Sequence, residues 1–143
     1  MSDTCSKSAE DRLHDRVESW FKKLRAMFQA IQQACPKAAG VLLGMDLWEA
    51  TQATMKTKTG LVIDWAELGR ANAAGIQNRE EAILWRLLDS HSLMRMASSY
   101  FNLKSMFNTL SDDNRQVVWL HIDGLCRSAE RVQQQSNSAK TVP

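Results

Sequence analysis

Apolar residues recur along this chain at helical spacing and almost nowhere at strand spacing. Leu13, Val17, Trp20, Phe21, Leu24, Met27, Phe28, Ile31 and Cys35 form one stripe, with Asp15, Arg16, Lys22, Lys23 and Arg25 mostly off it. That is the signature of an amphipathic helix packed on one side. Ser8 followed by Asp11 suits its N-cap, and Pro36 closes it. A second helix is expected from Pro36, carried by Val41, Leu42, Met45, Trp48 and Met55, with the natural break at Thr57-Lys58-Thr59-Gly60, a poor helix interior, and a helix continuing through it as the alternative.

Beyond that break, Leu61, Trp65, Leu68, Ile76, Ile83 and Leu87 trace one face, and Ala66, Gly69 and Ala73 beside it allow a close helix approach. Asp89-Ser90-His91-Ser92 is the most polar interruption of the middle region and is read as a hairpin tip. Leu93, Met96, Tyr100, Leu103, Phe107 and Leu110 continue as the returning arm, and Ser111 offers a new cap. Arg115 to Val132 follows, RQVVWLHIDGLCRSAERV, apolar around most of its circumference and therefore buried on more than one side. The polar run 133–138 is expected to fray. The predicted core comprises Trp20, Phe21, Leu24, Phe28, Val118, Trp119, His121, Ile122 and Leu125. The chain reads as one all-α domain over residues 1–132 with a flexible polar tail at 133–143.

Composition adds limits. Among 143 residues there are only two prolines and six glycines, and the net charge of +2 is too dispersed along the sequence to announce nucleic-acid binding. Cys5, Cys35 and Cys126 follow no metal-ligand spacing, no apolar leader opens the chain, and no run reaches membrane-spanning length, so no cofactor, no metal and no membrane insertion are expected. A reducing, intracellular site of synthesis follows. Cys126 near His121 and Glu130 evokes a nucleophile with its base, but the bland reading is favoured, a buried His121 bonded to a backbone carbonyl. Trp85, near the expected tip, has little core to enter and suits a subunit contact.

The order of residues in the 115–132 segment resembles the long second spike helix of capsid (core) proteins of hepadnaviruses and of their non-enveloped fish relatives, the nackednaviruses. Upstream, Ile63-Asp64-Trp65-Ala66-Glu67-Leu68 is similar to the Trp-x-Glu-Leu segment of that family's first spike helix, and Trp20-Phe21 to the paired aromatics of its second helix. The family's proline after those aromatics is replaced by Lys22, so one unbroken helix is expected. The resemblance implies a long helical hairpin that dimerises into a four-helix bundle, with the N-terminal amphipathic helices at its base. Such homodimers assemble into an icosahedral nucleocapsid, in the virion and in host cytoplasm during assembly, with no enzyme activity. It places Leu61, Trp65, Leu68, Ile76, Ile83, Leu87, Met96, Tyr100, Leu103 and Phe107 at the dimer interface.

From Trp65 to Trp119 is 54 positions, giving arms of roughly 40 Å at ~1.5 Å per residue. In the family, viral RNA or DNA is held by an arginine-rich tail. Here only eleven residues follow Val132, with Lys140 the single cation, so particles of this chain are expected to be largely nucleic-acid free. Hepadnaviral relatives place a cysteine before the first spike tryptophan. This chain has Asp64 there, so a disulfide-stapled dimer is not expected. The rival reading takes Asp64 to Gly75 as the first helix and turn of a helix-turn-helix DNA-binding regulator, with Gln77, Asn78 and Arg79 opening the recognition helix.

Overall fold

The computed structural model describes residues 8–51, 53–100 and 102–141, with backbone only at 37, 39, 98–100 and 139–141. Those residues are helical almost throughout, with no strand among them. In chain order the helices are α1 (Ala9–Ala34), a 3-10 turn (Pro36–Ala38), α2 (Ala39–Thr51), α3 (Met55–Ala71), α4 (Ala73–Gln77), α5 (Glu81–Ser90), α6 (Ser92–Tyr100), α7 (Leu103–Thr109) and α8 (Asp112–Thr141).

Ser8 caps α1, its side chain accepting from the Asp11 amide, and the helix then runs unbroken through Lys22 to Ala34. Its buried face is Val17, Trp20, Phe21, Leu24, Met27, Phe28 and Ile31. At the other end of the chain, Ser111 accepts from the Asn114 amide and opens α8. α8 packs against both α1 and α3 and is antiparallel to each. Trp20 of α1 lies beside Leu125, and Glu10 to His14 lie near Ser136. On α3, Gly69 meets Cys126 while Arg70 reaches Glu130.

The break after α2 falls at Ala53-Thr54, not at Thr57 to Gly60. Thr54 caps α3 by accepting from the Thr57 amide, and the Thr59 hydroxyl bonds the Met55 carbonyl inside the helix. Lys58 explains why a helix survives there: its amine reaches Glu18 at 2.7 Å and lies 4.8 Å from the centre of the Phe21 ring. That ion pair and cation–π contact tie α3 to α1 and outweigh a local preference worth a few tenths of a kcal/mol per residue. Gly60 sits in open space, so it costs little more than its own flexibility.

Nor do residues 61–87 form one arm. α3 stops at Asn72, whose side chain turns back to the Leu68 carbonyl, and a second break at Asn78 to Glu80 precedes α5. Gly75 makes that second turn possible. A Cβ there would lie 2.2 Å from the Ile83 side chain. Arg79 adopts a left-handed backbone, φ 55°, and its guanidinium grips both carboxylate oxygens of Asp123 at 2.9 and 2.8 Å. The charge-assisted pair holds a conformation that a side chain ordinarily avoids.

The segment read as a hairpin tip is the turn between α5 and α6, with Asp89, Ser90 and Ser92 exposed and His91 turned inward. His91 caps α5 and is 1% exposed. The returning arm is two short helices, α6 and α7, and Trp85 packs edge-on against Phe107 at 5.4 Å within the same chain. The polar run 133–138 stays helical, with Val132 and Ser136 both buried.

The close approach of α3 to α8 rests on Gly69, where a Cβ would stand 3.0 Å from the Cys126 sulfur. Gly69→Val should therefore cost about 1–3 kcal/mol by overpacking, and Cys126→Ala in the same chain should recover most of it. Urea unfolding of the two single variants and the double variant measures the coupling. An equal cost in both backgrounds would show that these helices do not meet at this pair.

Candidate functional site

The side chains singled out from the sequence converge where α1, α3 and α8 meet. Trp20, Phe21, Leu24, Phe28, Val118, Trp119, Ile122 and Leu125 are all buried there or adjacent to it. Trp20 and Trp65 lie 6.3 Å apart between ring centres, and His91 packs against both, at 6.2 and 5.5 Å. The Trp20 indole N–H donates to the Leu125 carbonyl at 3.1 Å, across 105 positions of sequence. The indole N–H of Trp65 meets no hydrogen-bond acceptor; the adjacent Cys126 thiol offers it only a weak polar contact.

The buried histidine is His91, not His121. Its Nε2 lies 2.7 Å from the Leu61 carbonyl, while the Met94 amide donates to Nδ1 at 3.4 Å. Those partners select the tautomer with the proton on Nε2. His121 is only half-buried, and burial lowers its affinity for a proton.

Five of the residues placed at a dimer interface are interior to the single chain: Trp65, Ile76, Leu87, Leu103 and Phe107 are at most 6% exposed. Leu61, Leu68, Ile83 and Met96 pack half-buried against the same core. Tyr100 has its side chain outside the described residues. The five buried positions offer no surface to a second copy while the chain keeps this fold. What remains outward is different. Leu120 is 61% and Val117 40% exposed on α8, and Leu43 and Leu47 of α2 are 69% and 60% exposed.

The α3/α8 seam holds a cavity of about 260 Å³ lined by Gly69, Ala73, Ile76, Gln77, Arg79, Asp123 and Cys126. It carries no activated nucleophile. Burial first, then the charges of Asp123 and Glu130, against the Trp65 N–H and Arg127, push the Cys126 thiol up to about 11, so it stays protonated near neutrality. Cys35 and Cys126 are unbridged, and Cys5 lies outside the described residues. Among the described residues no group of three His, Cys, Asp or Glu could hold a metal ion, and no helix is long and apolar enough to cross a membrane. Gln77 ends α4, while Asn78 and Arg79 form the following turn and Arg79 is committed to Asp123 and to the face of Trp119. They do not open a recognition helix.

Fold and seam together define an all-α protein whose longest helix is the post for two antiparallel neighbours. Comparison with family models, curated proteins and solved structures finds no match for this chain.

Burial holds the folded-state pKa of His91 below its ordinary 6.5, with the Leu61 carbonyl and the Asp64 charge opposing the shift only in part. The unfolded chain takes up a proton at a higher pH than the folded one. Stability is therefore complete above about pH 6.5 and falls as pH drops below it, down to the folded-state value. His121 acts in the same direction. His91→Gln, which can still donate to Leu61, should cost about 1–3 kcal/mol at pH 7.5 and lose most of the dependence between pH 6.5 and 5. Urea midpoints across that range decide it, and an unchanged slope would show that His91 is not the group responsible.

Proposed function

We propose that this chain is a capsid subunit of the hepadnavirus and nackednavirus type, a structural protein whose dimers build an icosahedral shell around a viral genome. The observation that carries the reading is the pairing of its two anchors. The Trp65-x-Glu67-Leu68 segment and the Trp119 to Leu125 segment, 54 positions apart between their tryptophans, lie on neighbouring antiparallel helices and frame one aromatic centre. A resemblance formed by chance has no reason to bring its motifs together.

In this reading two α3/α8 pairs, one from each copy, form a four-helix bundle through the outer face of α8, rather than through the residues now seen to be core. Val117 and Leu120 lie on that face and Gly124 beside them adds no bulk. Two copies of α8 crossing antiparallel at Leu120 would set Asp113 of one opposite Arg127 of the other, seven residues to either side. The face is thus complementary to itself in charge as well as apolar at its centre. No catalytic role is assigned to His121 or Cys126, and nucleic acid in the family manner would enter through a basic tail that these residues do not include. The proposed location is the virion capsid, with assembly in host cytoplasm.

Sedimentation equilibrium at micromolar concentration together with negative-stain electron microscopy tests the reading. The wild-type chain should sediment as a dimer or larger and give uniform hollow particles, and Leu120→Glu should shift it toward the 16.2 kDa monomer without loss of helical signal. A wild-type chain that is monomeric throughout, or a Leu120→Glu variant that still assembles, would count against it.

A further inference from the structure

We propose that the groove between α1 and α8 lined by Arg12, Arg16, Lys23 and Arg131 is a track for the phosphate backbone of single-stranded nucleic acid. Along α1, positions 12, 16, 19 and 23 follow the i, i+4, i+7, i+11 spacing that puts side chains on one face. α8 crosses this face antiparallel and contributes Arg131 from the opposite wall, with the buried Ser128 between. The groove encloses about 410 Å³. Four cationic side chains face it against a single carboxylate, Asp15. That local net of +3 exceeds the +2 carried by the entire chain, so the remainder is slightly acidic and the positive potential is concentrated here.

Three of these cations are available as well as close. Arg16, Lys23 and Arg131 are exposed, and none forms an ion pair with a described carboxylate. Lys23 is positioned by donating to the Ser19 hydroxyl at 3.0 Å, which leaves its other two protons for a ligand. Elsewhere on this fold Arg25, Lys58, Arg70 and Arg79 hold carboxylates.

From Arg12 to Lys23 the groove runs about 16 Å along the helix, several times the ~3.4 Å spacing of phosphates on one stacked strand. A flexible strand can follow a recess between two helices, whereas a rigid duplex meets only its rim. No aromatic ring lines the groove, so bases find no stacking platform and the contact is blind to sequence. The linear sequence predicts no such cluster, because Arg131 stands 119 positions from Arg12 and only the antiparallel packing of α1 on α8 brings them to one recess. The inference does not rest on the shell reading, since a phosphate track serves any association state.

Fluorescence anisotropy with a labelled twelve-nucleotide oligothymidylate tests it on the purified chain. At 50 mM salt the wild type should bind with a Kd on the order of 10⁻⁵ M, and with about three phosphates neutralised its log–log salt slope should be about −2. Arg16→Gln with Arg131→Gln should weaken binding at least tenfold and flatten the slope by about 1.4. Arg95→Gln with Lys104→Gln removes the same net charge from other exposed positions and should leave binding within about twofold, with circular dichroism checking that both double variants stay folded. No binding by wild type, or equal losses in the two double variants, overturns the proposal. So does tripolyphosphate binding without oligonucleotide binding, which would make the groove a small-anion site.

Discussion

The fold depends on one side-chain hydrogen bond placed where three helices converge. Trp20 is fully buried, and an indole N–H taken from water without an acceptor costs several kcal/mol in apolar surroundings. Its acceptor is the carbonyl of Leu125, in the middle of α8. A helical carbonyl keeps a second lone pair after its own i+4 bond, so the acceptor exists only where α1 crosses α8 at this height and rotation. The bond therefore sets register as well as energy. Trp65 and His91 then close around the same ring, and His91 in turn takes the Leu61 carbonyl, fixing α3 and the start of α6 to the centre. Beside it the Trp65 indole lacks any such acceptor, a cost that the packing of two tryptophans and a histidine must offset.

Local signals were readable from the sequence where local physics decides. The α1 stripe, the caps at Ser8 and Ser111 and the all-α class follow from periodicity and from hydroxyls placed before helices. The break expected at Thr57 to Gly60 went the other way because Lys58 gains Glu18 and Phe21, partners 40 and 37 positions distant. Spacing alone made residues 61–87 one face, yet an apolar stripe keeps its period across a turn as long as each short helix faces the core. Gly75 and the left-handed Arg79 mark the turns, and neither is visible as a periodicity defect. His121 drew attention because it stands beside Trp119, whereas His91 stood among Asp and Ser, where polar context reads as surface. Its burial follows from two bonds to backbone groups that no sequence pattern encodes.

Burial within the chain decides what it can offer a partner. Half of the expected interface, Trp65, Ile76, Leu87, Leu103 and Phe107, is core within the single chain. Apolar surface is left on the outer side of α8 at Val117 and Leu120 and on α2 at Leu43 and Leu47. On its other side α8 shares a cationic recess with α1. One helix thus presents an apolar stripe, a buried face and a charged edge around its circumference, and the assembly proposal and the phosphate proposal draw on different edges of it.

The organising role of α8 can be tested at the bond itself by hydrogen exchange of the Trp20 indole proton, followed by NMR on the native protein. A proton donated to Leu125 at the centre of the fold should exchange only through global unfolding. Its protection should then match that of the α8 amides from Ile122 to Ala129 and track urea stability one for one. Exchange of the Trp20 indole within minutes, while those amides remain protected, would contradict the account, because α1 would then leave α8 without unfolding it.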